Sequence, residues 1–287
     1  MKYKYFYFAI SAVMIVISIY SLLTWGLKLG VDFTGGSVLE VKIEGNVSTK
    51  DVREAVERDE FELTSVSVSG DSGFIIKTPP LTTEDKNKMT ELLTQSYGEV
   101  TELRYEIVGP AVGPELVKKT IYAIAIAAGI ILLWVAYQFK SFKYGASAIL
   151  AMFHDSFILL GAFSLLGHFY GAEVDFLFVT ALLTTLSFSV HDTIVVFDRI
   201  REINKKGGGE LVAVANKALT ETMVRSLNNS FTIIFMLVAL LLLGGTTIKW
   251  FATALLIGTV LGTYSSPFVA TPLLVTFDNF EKRIKKK

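Results

Sequence analysis

The sequence predicts an α-helical polytopic membrane protein of six transmembrane helices, with an extracytoplasmic α+β ferredoxin-like domain between helices 1 and 2. Three observations lead to this fold class. The 287 residues are 52% hydrophobic with a mean hydropathy of +0.51, which is more apolar than an ordinary soluble domain. Six runs are apolar and long enough to cross a bilayer. A single long polar segment, residues 30–115, separates the first run from the second.

The apolar runs set the predicted domain boundaries. Residues 1–29 hold the first helix, 30–115 the external domain with its linkers, 116–277 a five-helix bundle, and 278–287 a basic tail. The bundle helices are expected at residues 120–138, 145–166, 174–197, 226–244 and 251–277. The first run could instead be a signal peptide, but its length and the lack of an A-x-A cleavage site favour a retained anchor.

The distribution of charge predicts the orientation in the membrane. Residues 28–118 contain ten basic against 17 acidic side chains, a net charge of −7, and the rest of the chain carries +7. Basic residues collect at the N-terminus, in the loops 138–145 and 198–225, and in the tail. By the positive-inside rule we expect a multi-pass protein of the cell membrane with both termini in the cytoplasm. The acidic segment then lies outside the cytoplasm.

Short alternating patterns in the polar segment predict the element order β-α-β-β-α-β. Strands are expected at residues 37–44, 64–69, 73–78 and 102–108, and helices at 48–58 and 83–97. Gly70, Asp71 and Ser72 indicate a hairpin between the two middle strands. This order is the ferredoxin-like split βαβ pattern. The segment shows no catalytic constellation, so a binding or lever role is expected.

Two glycine-rich motifs border the external domain. The first reads GVDFTGG and is expected to make a tight turn before a strand, since glycine allows positive φ and close backbone approach. The second reads GPAVGPE and is either a plain linker or a hinge that lets the domain move. The motif positions of interest are Asp32, Phe33, Gly35, Gly36, Gly109, Pro110 and Gly113.

Two further patterns concern the bundle. Residues 210–223 follow a triple glycine and predict a short helix lying along the cytoplasmic surface. Gly258 and Gly262 form a G-x-x-x-G pattern in the last span, which favours close helix packing.

The fourth span carries the strongest functional signal. Thr185, Ser189 and Asp192 fall at i, i+4 and i+7, so they share one helical face that ends in a carboxylate. Ionisable groups inside a membrane are costly and are functional candidates by default. Arg225 opens the fifth span from the same side, at a similar depth. We expect Arg225 either to couple to Asp192 across antiparallel helices or to extend to the interface as a snorkelling residue.

Other polar residues in the spans have two interpretations each. Asp155, beside His154 in the third span, is either functional or a structural hydrogen-bond partner of neighbouring hydroxyls. His191 is either a packed core or interface residue or a proton relay. Asn228 and Asn229 complete the supporting polar network.

Several functional classes are disfavoured by composition. The chain has no cysteine, and its histidines at positions 154, 168 and 191 form no metal motif. No nucleophile constellation, phosphate loop or nucleic-acid motif is present in the sequence. We therefore expect no metal, no cofactor, no nucleic-acid partner and no enzymatic activity.

Five motifs in order resemble the SecF branch of the SecD/SecF family of protein-export proteins, which is related to the RND transporters. They are GVDFTGG after the first span, GPAVG before the second, His154-Asp155 in the third, HDTIVVFDRIRE from His191 at the end of the fourth, and RSLN from Arg225. The resemblance covers nearly the whole chain and implies six spans, an external ferredoxin-like domain and a SecD-like partner subunit. It also implies a place beside the Sec translocon channel, with secreted preproteins as substrates and the proton motive force as driver.

The resemblance also assigns roles to single residues. The proton-coupling carboxylate of the family corresponds to Asp192 and the essential arginine to Arg225. His191 departs from the family pattern, where asparagine is common before this aspartate, so the hydrogen-bond partner of Asp192 and the coupled ion stay open. Two other functions are compatible with the same features: a proton-coupled RND-like solute transporter, and a non-transporting scaffold of the translocase. The single small external domain argues against the solute transporter.

Overall fold

The computed structural model describes residues 3–45, 47–58, 61–70, 72–109, 112–139, 141–207 and 209–285. The chain divides into two compact units. One consists of Met1–Lys28, Ala123–Gly244 and Ile248–Lys287, and the other of Leu29–Tyr122 with Gly245–Thr247. The first unit is a helical bundle and the second contains a four-stranded sheet with two packed helices.

Six helices of the described chain are long and apolar enough to cross a membrane. Their bounds are α1 Lys4–Thr24, α5 Val112–Phe139, α6 Phe142–Tyr170, α7 Phe176–Lys205, α8 Leu211–Leu243 and the helical segment Thr246–Ile284. The number and order of the spans agree with the sequence-based expectation. Several of the helices extend beyond the predicted apolar runs into polar residues at their ends.

Two predicted boundaries differ from the structure. The helix α5 begins at Val112, so the second part of the predicted connector is its first turn. Pro114 is compatible with that position, since the first-turn N–H groups have no partner inside the helix. Pro110, the second residue of the predicted hinge, lies outside the described residues.

The second difference concerns α8. The predicted short surface helix over residues 210–223 is not a separate element, because α8 runs without interruption from Leu211 to Leu243. No glycine or proline occurs between these ends, so nothing in the sequence stops the helix where the polar stretch meets the apolar run.

The last span is irregular in its middle. It consists of α9, Thr246–Ser265, a π-helical turn, Ser266–Ala270, and α10, Thr271–Lys285. Pro267 has no N–H group to donate, so the regular hydrogen-bond ladder is interrupted at this point. Such π-helical turns are rare and are often found at functional sites.

A buried core cluster of the bundle forms where α5, α6, α7, α8 and the second half of the last span meet. It is built from buried aliphatic side chains and a cluster of three aromatic rings, Phe139, Tyr144 and Phe197. All three rings are at most 6% exposed. This packing holds the polar stretches of α7 and α8 at the ends of the bundle in a defined arrangement.

The second unit has the predicted element order. A one-turn helix, α2 (Val31–Thr34), precedes β1 Gly36–Ile43, α3 Thr49–Arg58, β2 Ser65–Ser69, β3 Gly73–Thr78, α4 Thr83–Tyr97 and β4 Val100–Val108. The sheet is antiparallel with the strand order β2-β3-β1-β4. The strand β3 therefore lies between β1 and β2, which α3 connects, and β1 lies between β3 and β4, which α4 connects.

Alternating side chains of the sheet form the core of this unit. Leu39, Val41 and Ile43 of β1 pack with Phe74 and Ile76 of β3, and all five are buried. One face of each helix closes the core, through Val52 and Val56 of α3 and Met89 and Leu93 of α4. The strand β1 is central and its pairing with β4 shifts register between Glu40 and Val41, which marks a β-bulge.

The two glycine motifs meet within the second unit. Gly36 has φ +138°, and a Cβ atom there would lie 2.7 Å from the carbonyl oxygen of Thr78. A Cβ atom at Gly113 would lie 2.6 Å from the Phe33 carbonyl oxygen and 3.0 Å from the Gly35 nitrogen. These positions therefore need glycine because backbone segments pass at contact distance, and the first turn of α5 packs directly on the turn before β1.

Candidate functional site

A buried carboxylate joins three elements of the bundle. Asp155 of α6 is 6% exposed, and its Oδ2 atom accepts hydrogen bonds from Ser189 Oγ of α7 at 2.6 Å and Ser265 Oγ of α9 at 2.5 Å. Its Oδ1 atom lies 2.9 Å from His154 Nδ1. All four side chains are buried. His154 Nε2 is also buried and has no hydrogen-bond partner among the described residues.

Asp192 has a different environment. It is partly buried, and its Oδ2 atom accepts a hydrogen bond from Ser226 Oγ of α8 at 2.8 Å. It also lines a narrow crevice that contains polar residues, Asn229, Ser230 and Thr263, beside apolar ones such as Phe188 and Ile233. Asp192 therefore lies at the contact between α7 and α8, with polar groups of α8 and α9 on its inner side.

A wider cavity begins one turn away from Asp192. Its volume is about 580 Å³. The residues that line it are Val195, Asp198, Arg199, Glu202, Glu221, Thr222 and Arg225. Val195 is three residues beyond Asp192 on α7, and Arg225 is adjacent to Ser226 on α8, so the cavity and the carboxylate are one helical turn apart.

Ion pairs connect charged residues that line this cavity. Arg199 Nε of α7 donates to Glu221 Oε2 of α8 at 2.6 Å, and the same guanidinium also donates to Glu202. Lys206 Nζ continues the chain of charges with a 2.7 Å hydrogen bond to Glu202 Oε1. From the Asp192–Ser226 contact to the Arg199–Glu221 contact, residue numbers rise along α7 and fall along α8. The two helices are therefore antiparallel.

The G-x-x-x-G pattern of the last span packs against α7. A Cβ atom at Gly258 would overlap the Thr185 side chain, and one at Gly262 would lie 3.2 Å from Ser189 Cα. One turn further along both helices, Ser266 Oγ and Thr193 Oγ1 are 3.0 Å apart. Small residues thus let α7 and α9 approach closely over two turns.

The predicted site residues fall into two groups. Thr185, Ser189 and Asp155 meet in the bundle interior, whereas Asp192 contacts α8. Arg225 faces the wide cavity, and the structure contains no ion pair between it and Asp192 within the described residues. The coupling of these two residues therefore stays a prediction, with Ser226 as the observed partner of Asp192.

The remaining predicted positions are less central. His191 and Asn228 are exposed, and Asn229 lines the crevice beside Asp192. The motif residues Asp32 and Phe33 lie in α2 in the second unit, and Phe33 is buried.

Sequence analysis missed three hydroxyl groups that the structure brings into the site. Ser265 and Ser266 lie at the π-helical turn, and Ser226 donates to Asp192. A signal was present, because two serines followed by Pro267 in the middle of an apolar span are costly unless they have partners. Among the described residues, no group of three or more His, Cys, Asp or Glu side chains could hold a metal ion.

Fold and site together define a class of protein: a six-helix membrane protein with an α+β domain between its first two spans and carboxylates inside its bundle. Two family models match this chain. Residues 88–279 match the C-terminal region of the protein export membrane proteins SecD and SecF, and residues 20–47 match the SecD/SecF GG motif. The chain belongs to the SecD/SecF family.

Individual relatives agree with this assignment. The protein translocase subunit SecF of Thermobaculum terrenum is 42% identical over 295 residues, which cover 97% of this chain and 93% of the relative. The translocase subunit SecDF of Thermus thermophilus is 35% identical over 90% of this chain.

A solved structure is similar over the same extent. The crystal structure of SecDF from Thermus thermophilus, described as a translocon-associated membrane protein, superposes with a TM-score of 0.87 and 32% identity over 97% of this chain. This chain spans only 38% of that SecDF chain.

Proposed function

We propose that this protein is an auxiliary subunit of the Sec protein translocase and that, with a SecD-like subunit, it uses the proton motive force to promote protein export. The near-full-length likeness to a SecF subunit carries this proposal. The SecDF relative supports the SecD-like partner, because the part that matches this chain is 35% of a protein named for SecD and SecF together.

The proposed topology follows from the charge distribution. The charged ends of α7 and α8, with Arg199, Arg201 and Lys206, lie in the cytoplasm together with both termini. The acidic four-stranded unit then lies on the outer side of the membrane, where it is available to emerging preproteins. The Sec channel and the secreted preprotein are the further partners in this proposal.

Asp192 is the proposed proton-carrying group. In its ionised form the carboxylate accepts a hydrogen bond from Ser226, and after protonation it can donate one to another oxygen of the crevice. A change of protonation therefore changes which groups of α8 and α9 it holds. One elementary charge that crosses the membrane is worth about 2.3 kcal/mol per 100 mV, enough to shift the balance between two helix arrangements.

The test is export into membrane vesicles that contain this protein, its SecD-like partner and the channel, with and without an imposed ΔpH. We expect Asp192→Asn to abolish the part of export that depends on ΔpH while the complex still assembles. Asp198→Asn is the matched control, because Asp198 lies less than two turns away on α7 with a side chain 49% exposed. This control variant should keep the response.

Each alternative has its own outcome in this experiment. Wild-type protein that assembles with its partner but gives no response to ΔpH would support the scaffold function and contradict the proposal. Purification without any SecD-like subunit, together with proton-driven solute uptake, would support the solute transporter. Full ΔpH-dependent export by the Asp192→Asn variant would exclude Asp192 as the proton-carrying group.

A further inference from the structure

The helix α7 is held in different ways on its two sides. Towards the last span, three close contacts recur at every turn, and all six residues are small. The pairs, in order along both helices, are Thr185 with Gly258, Ser189 with Gly262 and Thr193 with Ser266. Asp155 of α6 adds hydrogen bonds to both helices at the level of Ser189. On this side, α7 is packed without room for a shift.

The side towards α8 is packed in one part and open in another. Phe197 and Ile200 of α7 belong to the same buried core cluster as Ala215 and Ala218 of α8. Nearer to Asp192, cavities of about 580 Å³ and about 280 Å³ flank the joint; Val195 lines the first and Val196 the second, while Thr222 borders both. Two polar contacts, Asp192 with Ser226 and Arg199 with Glu221, also join the helices.

We propose that Asp155 is a positioning residue that locks α7 to the last span, so that the joint between α7 and α8 is the one that moves when Asp192 changes its proton. This inference rests on the proposed function. Between α7 and α9, small residues let the backbones approach closely, and Asp155 accepts hydrogen bonds from a serine of each helix. Between α7 and α8, Asp192 can exchange its polar partner, and cavities lie beside the contact. Packed interfaces resist gradual deformation, and movement is expected where packing is absent.

The geometry explains why a carboxylate is suited to the lock. One oxygen of Asp155 accepts from Ser189 and Ser265 together, and the other faces His154. Hydroxyl donors on two different helices are thus held by a single atom, which fixes their separation. An asparagine can offer the same accepting oxygen, whereas a leucine of similar size leaves both hydroxyls without a partner in an apolar interior.

Covalent bridges distinguish the two joints, since the chain has no cysteine of its own. The fixed joint is bridged by Thr193→Cys with Ser266→Cys, closed by mild oxidation. The moving joint is bridged by Arg199→Cys with Glu221→Cys, closed with a short bifunctional thiol reagent that a reductant can release. Each unbridged double variant is its own control. We expect the α7–α8 bridge to stop ΔpH-dependent export until it is reduced and the α7–α9 bridge to leave it intact.

Variants of Asp155 test the positioning role itself. Asp155→Asn should keep the ΔpH response, and Asp155→Leu should lower it about tenfold, the scale expected for buried hydroxyls left unpaired. Adding the Thr193→Cys/Ser266→Cys disulfide should restore the response of Asp155→Leu, because the covalent bridge then fixes α7 on the last span. A residue needed only for folding, or one that carries a proton, would not be rescued in this way.

Two results would overturn the proposal. One is loss of the response in Asp155→Asn with the complex intact, which would make Asp155 a second proton carrier. The other is equal inhibition by the two bridges, or no inhibition by either. If wild-type protein itself gives no ΔpH response, the proposed function fails instead, so the two failures are distinguishable.

Discussion

Two aspartates of the bundle, Asp155 and Asp192, differ in how completely their oxygens are occupied. Asp155 is buried and has a partner on each oxygen, from three helices in total. Asp192 is partly buried, receives one hydrogen bond from Ser226 and borders a crevice with other polar groups. A saturated carboxylate holds its neighbours in place, whereas one with unused acceptor capacity can exchange partners. This difference is the residue-scale basis for assigning the proton to Asp192.

The Ser226 hydroxyl offers a direct test of this assignment. Ser226→Ala removes the hydrogen bond to Asp192, and we expect ΔpH-dependent export to fall about tenfold, the lower end of the effect of one hydrogen bond to a charged group. The control is Ser156→Ala, because the Ser156 hydroxyl donates to Met152 of its own helix at 2.9 Å. Equal activity of both variants would show that the Asp192–Ser226 contact does not contribute to coupling.

At the scale of elements, the last span is the most specialised. Its first half approaches α7 through glycines and ends at Ser265, its π-helical turn begins with Ser266, and its end returns to a regular helix. The hydroxyls of both serines make hydrogen bonds to other helices. An uninterrupted helix with larger side chains could make neither the close contacts nor the hydrogen bonds to Asp155. The sequence between Gly258 and Pro267 therefore determines how firmly α7 is held.

Enlarging one of these glycines tests the close approach. Gly258→Leu forces a side chain into Thr185, and we expect a loss of about 1–3 kcal/mol in the free energy of unfolding. Gly129→Leu is the control, because a Cβ atom at Gly129 of α5 has no neighbour within 4 Å. Thermal unfolding in detergent compares the two variants. Similar losses for both would mean that helix packing does not depend on the G-x-x-x-G contact.

The start of α3 makes a prediction about pH. Hydrogen bonds from the Ser48 backbone N–H and then its hydroxyl lower the pKa of Asp51 below its ordinary value. A lowered folded-state pKa adds stability that is present above the unfolded value of about 4 and is lost as pH falls through the folded value. Asp51→Asn should therefore speed amide exchange in α3 roughly fivefold at pH 6. The difference from wild type should shrink as pH falls below the unfolded value of about 4 and vanish below the folded-state pKa, and a difference as large at pH 3 as at pH 6 would contradict the assignment.

At the scale of the whole molecule, charge and hydropathy are separated along the chain. The acidic segment of net charge −7 coincides with the second unit, and the compensating positive charge lies in the loops and termini of the bundle. A protein organised in this way is expected to insert with one orientation, because translocating its basic loops is unfavourable.

This orientation is testable with single cysteines in the naturally cysteine-free chain. Lys50→Cys replaces a side chain that is 82% exposed in the second unit, and Lys206→Cys one that is 73% exposed at the end of α7. We expect a membrane-impermeant maleimide to label Lys50→Cys in intact cells and Lys206→Cys only after permeabilisation. The reverse labelling pattern would show that the protein has the opposite orientation in the membrane.

Much of the architecture followed from local patterns. The six spans, the β-α-β-β-α-β order and the hairpin strands were predicted because hydrophobic periodicity and turn residues act over short distances. The continuous α8 was missed because its polar and apolar halves differ in composition although nothing ends the helix between them. Ser265, which donates to Asp155, and Ser226, which donates to Asp192, were missed because they come from helices distant in sequence.

By itself, the sequence determined the number of spans, the separation of charge and the presence of carboxylates in apolar runs, since each depends on composition along one segment. Only the tertiary structure decided that Ser189 and Ser265 share one oxygen of Asp155, that Ser226 contacts Asp192, and that cavities lie beside the contact between α7 and α8. The reason is physical: hydrogen bonds and close contacts between helices depend on their relative rotation and distance, which the packing of the whole bundle sets.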